Sequence, residues 1–122
     1  MIVRKLSELP RTVVLDGSHL VEYLHPERGP NPPAIGYSLA HAIVGAGEST
    51  LPHRLKSSSE VYVLLNGKGV IHVDDVQAEV CPGMAVVVPP GERQWIENTG
   101  DTDLEFLVIV EPYWREEDED TE

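Results

Sequence analysis

Apolar and polar positions alternate along most of this chain in short runs, broken every eight to twelve residues by Gly, Pro, Asn or Asp. That spacing predicts strands over 35–44, 51–55, 60–65, 70–73, 77–80, 85–88, 94–98 and 104–110, joined by turns. The run 60–65 is apolar or aromatic after its first residue and reads as a buried strand that carries a carboxylate, Glu60, at its start. Asn66–Gly67 is the sharpest hairpin signal. As a two-residue turn it would pair Tyr62 with Ile71, Val61 with His72 and Glu60 with Val73. Residues 1–36 give mixed signals. A short strand fits 11–16, and Asp16–Gly17 makes a turn. Ser18 then suits the N-cap of a brief helix over 19–24 that ends at Pro26, and 26–33, with four prolines, is a loop. Many short strands with turn residues between them indicate an all-β sandwich or barrel, here with a short N-terminal helix or strand extension.

Composition narrows the reading. With 122 residues the chain suits one domain, which the pattern places at 1–115 with 1–36 as an extension. Of 21 acidic residues, six fall in 116–122, so that segment reads as a solvated, disordered acidic tail. The remaining body, with 15 acidic against 9 basic residues, is still negative, which argues against nucleic acid as a partner. One cysteine, Cys81, excludes an internal disulfide and a CxxC metal site. The first ten residues lack the apolar run of a signal peptide, and the apolar runs are too short to span a membrane as helices. A cytoplasmic protein without membrane contact is the expectation.

Two stretches carry the chemistry. A carboxylate entering a sheet core needs a cation, a hydrogen-bond donor or a metal, and Glu60 has two polar neighbours in the pattern, His53 and Gln94. In 47–67 a glycine, Gly47, is followed at fixed intervals by His53, Glu60 and Gly67. In 83–98, Gly83 is followed by Pro89, Gly91, Gln94 and Asn98. These two blocks resemble the paired motifs of the cupin superfamily. The first keeps the first His, the Glu and both glycines, with Leu55 at the second His. The second keeps its glycines, Pro and Asn, with Gln94 at its His.

The resemblance implies a double-stranded β-helix, the jelly-roll barrel, in which His53, Glu60 and Gln94 face the interior. It also implies a divalent transition metal (Fe, Mn, Zn or Ni) held by His53, Glu60 and Gln94. The amide of Gln94 is a weaker donor than imidazole, and Leu55 is no donor. The bulkier face of strand 35–44, Leu39, His41 and Ile43, is expected to fill the barrel, so His41 either supplies a further ligand or is a satisfied core histidine. The alternative is that Glu60 simply accepts a hydrogen bond from His53 or Gln94. Tyr62, on the same face as Glu60, is expected to reach the site, where Glu60 or Tyr62 would move a proton. By the pairing above His72 lies on the far side, as do Trp95 and Arg54, while His19 and His25 have no argued role. Three functional readings stay open, one of them a purely structural role in a larger complex. Another is a metal-dependent dioxygenase, lyase or isomerase acting on a small oxygen-rich molecule. The third is a non-catalytic binder of a sugar or organic acid. Resembling proteins often exchange N-terminal strands, so a homodimer is expected.

Overall fold

The computed structural model describes residues 1–121. It is almost wholly antiparallel β-structure, with strands β1 (Thr12–Val13), β2 (His19–Leu24), β3 (Ser38–Val44), β4 (Arg54–Leu55), β5 (Ser59–Asn66), β6 (Gly69–Val73), β7 (Val76–Val80), β8 (Ala85–Val88), β9 (Gln94–Asn98), β10 (Leu104–Glu111) and β11 (Glu119–Asp120). A six-stranded sheet runs β1-β2-β3-β10-β5-β8, a three-stranded sheet β7-β6-β9 faces it, and β4 pairs with β11. The two main sheets share one core, with Ile71, Val80 and Ile96 of the smaller sheet in the same cluster as Leu64, Phe106 and Val108 of the larger. This is a jelly-roll barrel. Each fully buried aliphatic side chain there contributes about 1.5–3 kcal/mol. No helix among the described residues is long and apolar enough to cross a membrane.

Register fixes what points inward. Across the large sheet, Ser38, Val110, Glu60 and Val88 form one row, and Ala40, Val108, Tyr62 and Val86 the next. Directly paired residues share a face, so the alternation of β5 places Glu60, Tyr62 and Leu64 inside, as the strand pattern requires.

Three expectations are overturned here. Residues 19–24 form strand β2, not a helix. Ser18 does not cap a helix, because Asp16 Oδ1 holds it instead, accepting from its backbone N–H at 2.9 Å and from its Oγ at 2.6 Å. That turn sends the chain back along β1, pairing Thr12 with Leu20 and Val13 with His19. Asn66–Gly67 is not a two-residue hairpin. β5 pairs with β10 and β8, whereas β6 pairs with β7 and β9, so the chain passes from one sheet to the other at this point. Gly67 makes the passage at φ 82°, and a Cβ there would lie 2.5 Å from the Asp103 carbonyl oxygen.

The third concerns the acidic end. Glu116–Asp118 form a 3-10 turn and Glu119–Asp120 are strand β11, paired with β4. The anchor is Asp118, buried, whose carboxylate accepts hydrogen bonds from the backbone N–H groups of Ser57 and Ser58 and from Ser57 Oγ. Glu122 lies outside the described residues.

Candidate functional site

The barrel encloses a cavity of about 460 Å³. It exists because β3 turns its small residues inward: Ser38, Ala40 and Ala42 line it, together with Phe106, Val108 and Val110 of β10. The larger set, Leu39, His41 and Ile43, faces outward. His41 is therefore not in the cavity. It is buried beneath the lead-in, where Arg11 Nη2 donates to its Nδ1 at 3.1 Å and its Nε2 lies 3.2 Å from Glu105. An Nδ1 that accepts belongs to a neutral ring, and burial together with the Arg11 charge lowers the His41 pKa. The bulk of a side chain was the wrong guide to its face, since a barrel that holds a cavity needs small residues around it.

His53, Glu60 and Gln94 do converge. His53 and Gln94 bridge through their backbones, with N–H···O distances of 3.0 and 2.7 Å in the two directions. His53 donates from Nδ1 to the Leu51 carbonyl at 3.3 Å, and its Nε2 stands 3.6 Å from Glu60 Oε1. Both groups are buried, His53 at 2% exposure and Glu60 at 8%. Burial works to lower the His53 pKa, but the Glu60 carboxylate, aided by Asp16 and Glu119, outweighs it and raises the value to about 9. His53 is thus an imidazolium near neutral pH. Glu60 Oε1 has no hydrogen-bond partner, the 3.6 Å to His53 being too long for one.

Gln94 is engaged elsewhere. Its Oε1 accepts the hydroxyl hydrogen of Tyr62, and it does not line the cavity. Tyr62 does line it. Burial, then the charge of Glu60, holds the Tyr62 pKa well above its ordinary value, so its hydroxyl keeps its proton for Gln94. His72 lies on the outer face, as expected but for another reason. It pairs with Trp95 across β6 and β9, stacks on that indole at 3.7 Å, and meets Glu97 Oε1 at 2.9 Å. Arg54, beside His53, does not line the cavity.

Several wall residues escaped the sequence reading. Asp16 comes from the β1–β2 turn, Trp114 from just before the acidic segment and Glu119 from within it. Trp114 Nε1 donates to Glu119 Oε1 at 2.9 Å. Burial raises the Glu119 pKa, and the charges of Asp16 and Glu60 add to it while Trp114 and His53 oppose. The usable signal was a tryptophan just ahead of the acidic run. His25 also lines the cavity, donating from Nε2 to the Trp114 carbonyl at 2.8 Å while its Nδ1 accepts from Glu27 N–H.

The cupin domain model matches residues 40–110, more than half of the chain. The chain is a cupin. A protein of Methanocaldococcus jannaschii is 36% identical over 108 residues, spanning 87% of this chain and 82% of that one. Among solved structures, a Thermotoga maritima protein described as a predicted oxalate decarboxylase superposes with a TM-score of 0.76 at 29% identity, over 91% of this cupin and 98% of that chain. A nucleoside dehydratase from Streptomyces superposes with a TM-score of 0.78 at 19% identity, over 98% and 89%, a likeness of fold alone.

The metal implied by the cupin motifs finds a poor donor set here. Leu55 is packed in the apolar core, Gln94 Oε1 is taken by Tyr62, and His41 is on the outer face. That leaves His53 and Glu60. No group of three or more His, Cys, Asp or Glu among the described residues is arranged to hold an ion. Two ligands fall short of what a bound transition metal takes from a protein, so the residues present do not fit the group.

Proposed function

We propose that this cupin binds a small, oxygen-rich molecule in its barrel and moves a proton on it with the His53–Glu60 pair, without a metal, as a lyase or isomerase does. The observation that carries the reading is the buried pair in the cavity wall, His53 Nε2 3.6 Å from the Glu60 carboxylate. In a dehydration, Glu60 would take a proton from the carbon next to a carbonyl while His53 gives one to the departing hydroxyl; the C–O bond breaks, a C=C bond forms, and water leaves. In an isomerisation the same two groups would take a proton from one carbon and return one to its neighbour. Tyr62 has its hydroxyl committed to Gln94, so it holds the wall in place and leaves proton transfer to Glu60 and His53. The oxygen-rich ligand meets donors in the imidazolium and an acceptor in Glu60, and the apolar walls of β3 and β10 bury its carbon frame.

The test is deuterium exchange. Wild-type protein is incubated in D2O with a panel of hydroxyaldehydes and ketoses, and C–H signals are followed by NMR. Exchange or water loss that persists with a chelator and disappears in His53→Gln and Glu60→Gln supports the reading. Activity abolished by the chelator would instead support a metal enzyme built on His53 and Glu60. Binding of a panel member with no exchange would leave a non-catalytic binding cupin.

A further inference from the structure

Two arginines line the cavity, and their surroundings differ. Arg28 is neutralised: Glu22, also in the wall, lies 3.1 Å from its Nη2, and its guanidinium rests over the Trp114 ring. Half-buried Arg4 forms no ion pair with any of the described residues. Two backbone carbonyls hold it instead, Nε donating to Tyr23 at 3.3 Å and Nη2 to Pro30 at 2.9 Å. A guanidinium carries five N–H donors in a rigid fork. Those two bonds engage its Nε–Nη2 edge, and the end-on edge formed by Nη1 and the second Nη2 hydrogen keeps its donors. Carbonyls are dipoles, so they orient the group and leave its positive charge uncancelled. A guanidinium fixed in this way is prepared for a carboxylate or phosphate, which it grips with two parallel hydrogen bonds.

Register sets Arg4 apart from the His53–Glu60 pair. The Tyr23 carbonyl that holds it belongs to β2, whereas Glu60 is on β5, with β3 and β10 between them. Three strand spacings make about 14 Å along the curved sheet, and the way across the cavity is shorter. The other carboxylates of the wall have partners of their own. Asp16 accepts from Ser18, and Glu119 accepts from Trp114. An anionic group placed near Glu60 would meet like charge where water is scarce, and the two would repel. At Arg4 the same group meets the one wall arginine without a carboxylate beside it.

Resting on the reading of this cavity as the ligand site, we infer that Arg4 receives a carboxylate or phosphate group, so that the ligand is a small organic anion whose charged end lies away from the His53–Glu60 pair. Arg4 is the specificity-determining residue in this scheme. It selects for charge and turns the uncharged end of the molecule toward the pair.

Four probes on one frame test the inference by titration calorimetry at neutral pH and low salt: D-glucuronate, D-glucose 6-phosphate, D-glucose and 6-amino-6-deoxy-D-glucose. One of the two anions should bind one-to-one and at least tenfold more tightly than glucose, with the amine weakest. Which anion binds tells a carboxylate ligand from a phosphate. Arg4→Gln should weaken that anion at least tenfold and leave glucose unchanged. Arg4→Lys, which keeps the charge and loses the fork, should fall between wild type and Arg4→Gln. Lys68→Gln, in the exposed turn between β5 and β6, should change nothing, which separates the site from the general charge of the chain. No anion binding at millimolar concentration, an anion no tighter than glucose, or an Arg4→Gln without effect would overturn the inference. So would an Arg4→Gln that weakens glucose by the same factor, since Arg4 would then only prop the lead-in. The exchange experiment reads out separately. Exchange without anion preference sinks the Arg4 site alone, and anion preference without exchange sinks the proton-transfer reading alone.

Discussion

Asp118 holds Ser57 three times over, accepting from its backbone N–H with both carboxylate oxygens and from its hydroxyl at 2.6 Å. A single buried carboxylate therefore fastens the acidic segment to the loop before β5, one residue from Ser58, whose N–H it also receives. Ser57 outweighs the burial that would raise the Asp118 pKa and brings it below the ordinary value.

Asp118→Ala should destabilise the protein by about 1.5–3 kcal/mol, the range for hydrogen bonds to a charged group. On a chain of this length that lowers the melting temperature by roughly 10 °C. Removal of 116–122 should do at least as much, where a solvated tail would be dispensable. Thermal denaturation of both variants checks this. A depressed carboxylate pKa contributes stability above its unfolded value that is lost as pH falls through the folded value, so the gap between wild type and Asp118→Ala should narrow in acid.

The His53 ring should titrate near pH 9, against an ordinary value of 6.5. Its raised pKa contributes stability that is complete below pH 6.5 and is lost as pH rises through about 9. NMR of the imidazole signals gives the midpoint directly. Glu60→Gln should bring that midpoint down and flatten the alkaline loss of stability.

Tyr62→Phe should cost about 1–3 kcal/mol, because Gln94 Oε1 would be left buried without its donor. Chemical denaturation measures this. If deuterium exchange survives in the variant, the phenol is a wall and the proton chemistry belongs to His53 and Glu60.

The expectation of a homodimer rested on a lead-in strand without a partner, but β1 pairs with β2 of the same chain. What remains is the outer face of the large sheet near its edge strand β8, where Leu65 and Val87 are exposed beside Met84. We propose that two copies meet there. Sedimentation velocity at high micromolar concentration should show a dimer, and Val87→Glu should reduce it to a monomer.

The turn residues made the barrel legible. Gly47, Gly67, Gly83, Pro89 and Gly91 set intervals that place His53, Glu60 and Gln94 together whatever fills the loops between them. Strand β5 was equally plain, since its alternation assigns Glu60 and Tyr62 to one face. Local signals failed where the answer lay across the fold. Asn66–Gly67 reads as a hairpin until the two flanking strands are seen to join different sheets. His41 was assigned inward by bulk, which holds for a filled core and fails beside a cavity walled by Ala40 and Ala42. The acidic segment hid its structure in its composition: repulsion among its charges is visible in sequence, whereas the fit of Asp118 to the amides of Ser57 and Ser58 appears only when both are in place.

The lead-in and the acidic segment wall the same cavity, Arg4, Leu9 and Pro10 from one and Trp114 and Glu119 from the other. A molecule seated there works as a clasp between stretches about a hundred positions apart in sequence. Its arrival should slow amide exchange in both stretches together, by an amount set by its affinity, adding to the links that His25 makes to the Trp114 carbonyl and the Tyr113 ring and that Arg28 makes to the Trp114 ring.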